Sequence, residues 1–304
     1  MISNYVNKLI ENLPDDIKNV KEPVKLDIVL DGGMFNGSYH VGALYFLKEM
    51  ENRKYIKIER ISGCSIGSTV GFLYFIDSLN LMPKLYDLIH KEFKQTYSLN
   101  LLKELKTILQ DHIPSDICER VNNKLFITYN NVKKGKKIVK SNYKDVDDII
   151  NAIIKSSYIP YLIDGNLLYE NKFIDGLTPF IFKERTNKVL YLDLFGSDKL
   201  WNLLNVKNEK TNYHRILSGL LDIHSFFIKQ SNTPMCSYVN DWTYSNIFLN
   251  YFKLVIERIC IYLIYALLFI QKYISDEFKQ TILYKILSKI SYDIFIIILE
   301  NYCL

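Results

Sequence analysis

Residues 55–68 read Tyr-Ile-Lys-Ile-Glu-Arg-Ile-Ser-Gly-Cys-Ser-Ile-Gly-Ser. From Tyr55 to Ile61 the pattern alternates, with Ile56, Ile58 and Ile61 apolar and Lys57 and Glu59 polar, which predicts a half-buried β-strand. Ser68 to Leu79 continues as an apolar run that predicts a buried helix. Between them, Gly63-Cys64-Ser65-Ile66-Gly67 fits G-x-S-x-G. In a strand–turn–helix setting that pattern pushes a serine hydroxyl out of the sheet. Gly63 and Gly67 suit the turn because a side chain there would clash with neighbouring backbone or forbid the angles required. The helix that follows directs its positive dipole end towards Ser65. By itself the pattern also fits an ordinary Gly-rich turn, so the rest of the chain has to decide its meaning.

Upstream, Val24 to Leu30 is aliphatic and β-branched and predicts another strand. It runs into Asp31-Gly32-Gly33-Met34-Phe35-Asn36-Gly37. From Gly37 to Met50, Val41, Leu44, Tyr45 and Leu47 fall at helical spacing. Strand, helix, strand and helix in succession imply a parallel pair joined by a right-handed crossover, hence an α/β fold. The loop at Gly32 admits two readings, since successive N–H groups there can converge on an anion. A dinucleotide fingerprint needs G-x-G-x-x-G, and glycines at 32, 33 and 37 fit it imperfectly. An oxyanion hole for an acyl-transfer serine is the other reading, and the elbow at Ser65 supports it.

Farther along, residues 83–122 read as two or three helices. Leu125–Tyr129 and Lys137–Ser141 read as a hairpin, and Asp145–Ser156 as a helix with acids in its first turn. Leu167–Ile174 and Val189–Phe195 are further strand candidates. From about Asn212 the chain is mostly helical. These shifts suggest an extension over 1–23, an α/β domain over 24–200 and a helical, hydrophobic region over 201–304.

Three blocks, taken in order, resemble the patatin-like phospholipases. Leu30-Asp31-Gly32-Gly33-Met34-Phe35-Asn36-Gly37-Ser38-Tyr39-His40-Val41-Gly42-Ala43-Leu44 is similar to that family's Gly-rich loop and following helix. Ile61 to Ser68 resembles its elbow. Ser156-Ser157-Tyr158-Ile159-Pro160, followed by Phe173-Ile174-Asp175-Gly176, resembles its Ser-Ser-x-x-Pro and Asp-Gly segments. The resemblance spans roughly residues 24–200. It implies a three-layer α/β fold with a mainly parallel central sheet flanked by helices, and a helical C-terminal region beyond it. It also implies Ser65 as nucleophile and Asp175 as general base, with Gly32, Gly33 and Met34 supplying oxyanion amides. Gly37, Gly63, Gly67 and Gly176 would support the motifs, and neither metal nor organic cofactor is required. Asp164 also precedes glycine, but the resemblance makes Asp164-Gly165 a hairpin turn. A carboxylate near pKa 4 is a weak base for this work, so Asp175 is expected to be desolvated.

Three departures from the family pattern stand out. Met34 replaces a loop glycine, which costs about 1–3 kcal/mol if the position needs positive φ. Asn36 replaces a basic residue. Leu177 replaces a small one, a minor change on sequence grounds. The first two raise the alternative of a weakly active or inactive lipid-binding protein on the same fold. A Ser-His-Asp triad using His214 or His224 is a further layout to compare.

Composition narrows the remaining classes. The formal net charge is +5, with acids and bases interspersed along the chain. The one dense basic cluster, Lys133-Lys134-Gly135-Lys136-Lys137, reads as a solvated hairpin tip, which argues for a weak attraction to anionic membranes rather than for nucleic acid. Five scattered cysteines without C-x-x-C spacing argue against a disulfide framework or zinc site. The N-terminus lacks the pattern of a secretory signal. An intracellular protein, cytoplasmic or peripheral on a membrane, with a lipid substrate is therefore expected. Ile259–Ile270 is uncharged, but as a helix it reaches only about 18 Å against a hydrocarbon core of about 30 Å. The C-terminal helices are thus expected to pack on the domain or to touch a bilayer peripherally, and both can hold for different faces.

Overall fold

Seven residues from Val24 to Leu30 form strand β1, which alternates its aliphatic side chains between the two faces of a sheet. A computed structural model describes residues 2–184, 186–196, 199, 203, 205–206, 209 and 211–302. Two short helices precede the strand, α1 (Ile2–Glu11) and α2 (Asp15–Lys18). Then come α3 (Gly37–Asn52), β2 (Ile56–Cys64), α4 (Ile66–Phe75), α5 (Met82–Thr96), α6 (Leu105–Leu109) and α7 (Ile117–Val121). The hairpin β3 (Leu125–Asn131) and β4 (Lys136–Lys140) leads to α8 (Val146–Ser156), β5 (Phe173–Asp175) and β6 (Lys188–Leu192). The remainder is α9 (Tyr213–Lys229), β7 (Cys236–Tyr238), α10 (Tyr244–Tyr273), α11 (Asp276–Gln280) and α12 (Ile282–Tyr302).

The strands make one mixed sheet in the order β4-β3-β2-β1-β6-β7. Its centre is parallel, β3 beside β2, β2 beside β1 and β1 beside β6, while β4 and β7 are antiparallel edges. Alternate strand residues face opposite ways. Ile28, Leu30, Ile127, Leu190 and Leu192 join α3, α4, α8 and α9 in the main core. Val29, Phe126, Val189 and Tyr191 face Phe180, Phe182 and Trp242 on the other side. The result is a mostly parallel sheet covered on both faces, with a helical C-terminal region, as the α/β reading expects.

Two segments outside 24–200 add to this body. Helix α1 buries Val6, Leu9 and Ile10 in the main core. Helix α9 packs along α3 so closely that a Cβ on Gly42 would lie 1.9 Å from the Ile216 carbonyl. The boundary expected at 200/201 lies outside the described residues, as does Cys303.

The strand expected over Leu167–Ile174 came out shorter than expected. Residues 161–172 are mostly turns, and only Phe173–Asp175 pairs in the sheet. Edge strand β7 had no visible sequence signal, since three residues are too few for an alternation to register.

The register brings the functional segments together. Strand β2 pairs with β3 only as far as Cys64 opposite Thr128. Strand β5 takes over the same edge from the next residue, Asp175 opposite Tyr129. The residue that follows β2 and the residue that ends β5 therefore meet at one point. On the other flank, Leu30 is level with Gly63, so the loop after β1 arrives beside the turn after β2.

Candidate active site

Ser65 is the single residue between β2 and α4, and it holds φ +51° and ψ −129°. That strained conformation is the mark of an elbow that aims a side chain away from the sheet. Close packing enforces it, since a Cβ on Gly67 would lie 2.6 Å from the Leu30 carbonyl and one on Gly63 2.5 Å from Gly67. The Ser65 amide donates to Ser156 Oγ (2.9 Å), whose hydroxyl donates to the Thr128 carbonyl (2.7 Å). The Ser65 carbonyl accepts from Ser68 N (3.0 Å) and Ser68 Oγ (2.6 Å). The Ser65 backbone is held at both ends and its hydroxyl is left outside that network.

The hydroxyl interacts with the Asp175 carboxylate, which is buried and whose pKa is pushed up to about 6. Burial is the dominant cause, and the Leu177 amide, donating to Oδ1 at 2.8 Å, and the Ser65 hydroxyl offset part of it. Leu177 adopts φ +57°, and its backbone curls back to hydrogen-bond the carboxylate. Gly176 sits where a Cβ would be 2.2 Å from the Thr128 carbonyl. Asp164 is held elsewhere, paired with Lys103 and the Tyr158 hydroxyl, and its pKa falls to about 2.

The Gly-rich loop lies against the elbow, a Cβ on Gly32 falling 3.4 Å from Ser65 Cβ. The Gly32 amide donates to Asp31 Oδ1 at 3.0 Å and is thereby occupied. The amides of Gly33 and Met34 have no acceptor among the described residues. Gly33 has φ +153°, which favours glycine, and Met34 has φ +44°, so the methionine does stand in a left-handed position. Gly37 opens α3 against Ile66. Asn36 is buried, donating to the Lys199 carbonyl (2.9 Å) and accepting from Arg215 Nη1 (2.6 Å). Arg215 comes from α9 and also binds Glu209. A buried guanidinium thus reaches the loop position where the family carries its own base, a contact invisible in sequence because 179 residues separate the partners.

An apolar cavity of about 50 Å³ opens beside Ser65. Met34, Phe35 and Ile66 wall one side, Met82, Tyr86, Ile89, Leu99 and Leu102 the other, with Ser157 and Ile159 near the serine. The buried Ser157 hydroxyl has no partner among the described residues. No histidine lines this cavity. His214 pairs with Glu209, and His224 packs on Phe46. His40 is buried under the loop with Nε2 2.9 Å from the Asp31 carbonyl. Among the described residues no group of three or more His, Cys, Asp or Glu side chains could hold a metal.

A serine on a strained elbow, a carboxylate kept basic by burial and an apolar cavity give the layout of a lipid-ester hydrolase. Comparison with known proteins agrees. Residues 28–178 match the family of patatin-like phospholipases, and the chain carries a domain belonging to that family. It is 26% identical over 152 residues to the 1-acylglycerol-3-phosphate O-acyltransferase Pnpla3 of Mus musculus, covering 47% of this chain and 37% of that protein. The corresponding Homo sapiens protein is also 26% identical, over 164 residues, covering 47% of this chain and 34% of that one. Patatin-like phospholipase domain-containing protein 2 of Mus musculus is 28% identical over 186 residues, 51% of this chain and 37% of its own length. The chain spans little more than a third of the length of these relatives. What the family supports in general is lipid hydrolase or acyltransferase chemistry.

Proposed function

We propose that this protein hydrolyses fatty-acyl esters of phospholipids or neutral lipids through a Ser65–Asp175 dyad. The observation that carries the reading is the Asp175 carboxylate, buried beside the Ser65 hydroxyl with its pKa raised to about 6. A carboxylate in that range is a competent base at neutral pH without a histidine relay. Ser65 Oγ attacks the ester carbonyl while its proton passes to Asp175. The Gly33 and Met34 amides and the N-terminus of α4 are placed to receive the developing oxyanion, a kind of contact worth about 3–4 kcal/mol per donor. The alcohol leaves with the proton held on Asp175, and water then cleaves the acyl-enzyme. The apolar cavity accepts the first part of the acyl chain.

The same reading places the protein on an anionic bilayer. Helix α10 runs for 30 residues, about 45 Å. By length and composition it is apolar enough to cross a membrane, and little of it is buried in the protein. It nevertheless docks one stripe, Glu257, Ile261 and Ile264, on the catalytic domain, which favours lying in the interface over crossing it. The lysines of the β3–β4 tip flank it, for Tyr265 donates to the Val132 carbonyl and Lys133 shares a cleft with Leu268. An apolar helix edged by lysines suits an anionic lipid surface.

Fatty-acid release from phospholipid, lysophospholipid and triacylglycerol vesicles tests the reading. Release by the wild type that is lost in both Ser65→Ala and Asp175→Asn supports it. Release unchanged in Ser65→Ala refutes it, and a folded wild type whose serine resists a fluorophosphonate probe favours a lipid-binding role. The names of two relatives motivate a second reading, in which a lysolipid hydroxyl replaces water as acceptor. Diacyl product formed when lysophosphatidic acid is supplied would support it.

A further inference from the structure

Helix α10 is fastened to the domain by residues at 253, 257, 261, 264 and 268, a single stripe at helical spacing. Its C-terminal part is apolar, Ile261 and Ile264 meeting Val132, Leu167 and Ile174. Its N-terminal part is not. Lys253 Nζ binds Asp31 Oδ2 (2.8 Å) and Asp193 Oδ1 (2.9 Å), and Asp31 in turn holds the Gly32 amide at the start of the oxyanion loop. Glu257, 5% exposed, accepts from Thr178 and from Lys137 Nζ (2.8 Å). It also accepts from Asn130 Nδ2 (3.4 Å), which donates to the Asp175 carbonyl (3.0 Å) as well.

Two side chains one turn apart therefore reach the two loops of the candidate site, one on the oxyanion side and one on the base side. Buried ion pairs are poor sources of stability compared with apolar packing, and in some proteins what they supply is geometric definition. Such pairs are an uneconomical way to attach a helix whose other faces are Ile, Leu, Phe and Tyr. They are an effective way to make loop geometry depend on where that helix sits.

Building on the membrane reading above, we propose that Lys253 and Glu257 are positioning residues that couple bilayer engagement of α10 to the Gly32–Met34 loop and the Asp175–Thr178 loop. With its apolar faces in water, α10 is free to shift on its stripe. Seated in lipid it is fixed, and the two charged contacts set both loops.

The test uses the whole chain with vesicles of mixed phosphatidylcholine and phosphatidylserine. Two quantities are read, the labelling rate of Ser65 by a fluorophosphonate and the hydrogen exchange of amides 31–36 and 175–178. In the wild type, vesicles are expected to speed labelling about tenfold and to protect both amide groups. In Lys253→Met and in Glu257→Gln the protein is expected to sediment with vesicles as before, with no vesicle-dependent gain in labelling and no new protection. Lys253→Arg, which keeps the charge, is expected to restore the gain and serves if the methionine variant fails to fold. Variants that respond to vesicles as the wild type does would overturn the coupling, as would wild-type loops whose exchange ignores vesicles. A wild-type Ser65 that never labels would count against the catalytic reading instead, because the exchange measurement needs no chemistry and decides the coupling alone.

Discussion

The backbone amide of Ser65 donates to the hydroxyl of Ser156, 91 residues away, at 2.9 Å. Ser156 ends helix α8 and donates its own hydroxyl hydrogen bond to the Thr128 carbonyl, so it ties the elbow to β3. Ser156→Ala leaves a buried amide without a partner, which costs about 1–3 kcal/mol. The expected result is a lower melting temperature together with a fall in kcat of about tenfold or more as the elbow loosens. Wild-type kcat in a folded Ser156→Ala protein would mean the elbow needs no such tie.

Asp175 makes pH a direct probe of the site. Its pKa is about 6 in the folded protein against a reference of 3.8, so the native state holds this proton more tightly than the unfolded chain does. The group's contribution to stability is fully present below the unfolded value and is lost as pH rises through the window between the two. Asp175→Asn removes the buried charge and is expected to be more stable than the wild type at pH 8, by up to about 2–3 kcal/mol, and inactive. Thermal melts at pH 4 and pH 8 check this, and an equal or lower melting temperature for the variant at pH 8 would contradict it.

The pH–rate profile follows from the same group. If Asp175 takes the serine proton, kcat/KM falls on the acid side with an apparent pKa near 6. A profile flat down to pH 4.5 would point to another base.

Met34 carries φ +44° in a loop where glycine is at ease. Met34→Gly relieves strain of about 1–3 kcal/mol and adds unfolded-state entropy worth about 0.5–1 kcal/mol. The expected net effect is about 1 kcal/mol of added stability, read as a rise in melting temperature. A clear fall would mean that the methionine's packing in the cavity outweighs its backbone cost.

Phe248 and Phe269 are 70% and 62% exposed on α10. Replacing either by serine is expected to weaken partitioning onto anionic vesicles by about tenfold or more. Replacing Lys133 and Lys134 by glutamate is expected to weaken it as well, and that loss should shrink as salt is added. Sedimentation with vesicles measures both, and binding unchanged in all of these variants would remove α10 from the lipid interface.

Local pattern was enough to mark β1, the loop at Gly32, α3, β2 and the elbow, because each is a run of period two or 3.6 broken by glycine. The motifs in their order, through the resemblance they carry, singled out Ser65, Asp175 and Met34. Everything that depends on contacts across the chain had to come from the folded arrangement. The strand exchange at Thr128 and Tyr129 brings Asp175 to Ser65, and no local pattern encodes which strand takes over an edge. The raised pKa of Asp175 comes from burial, a property of the assembled site. No local pattern sets Arg215, Lys253 or Glu257 apart from other charges on helices. In three dimensions Glu257 turns inward while apolar residues occupy the exposed faces, so α10 extends about two and a half times as far as the uncharged stretch Ile259–Ile270. Sequence thus determined the elements, which follow from local spacing, and nominated the residues of the candidate site, which follow from motif order and family resemblance. Tertiary structure alone decided which charges are buried, what they hold and how basic they are, since those depend on neighbours far apart in the chain.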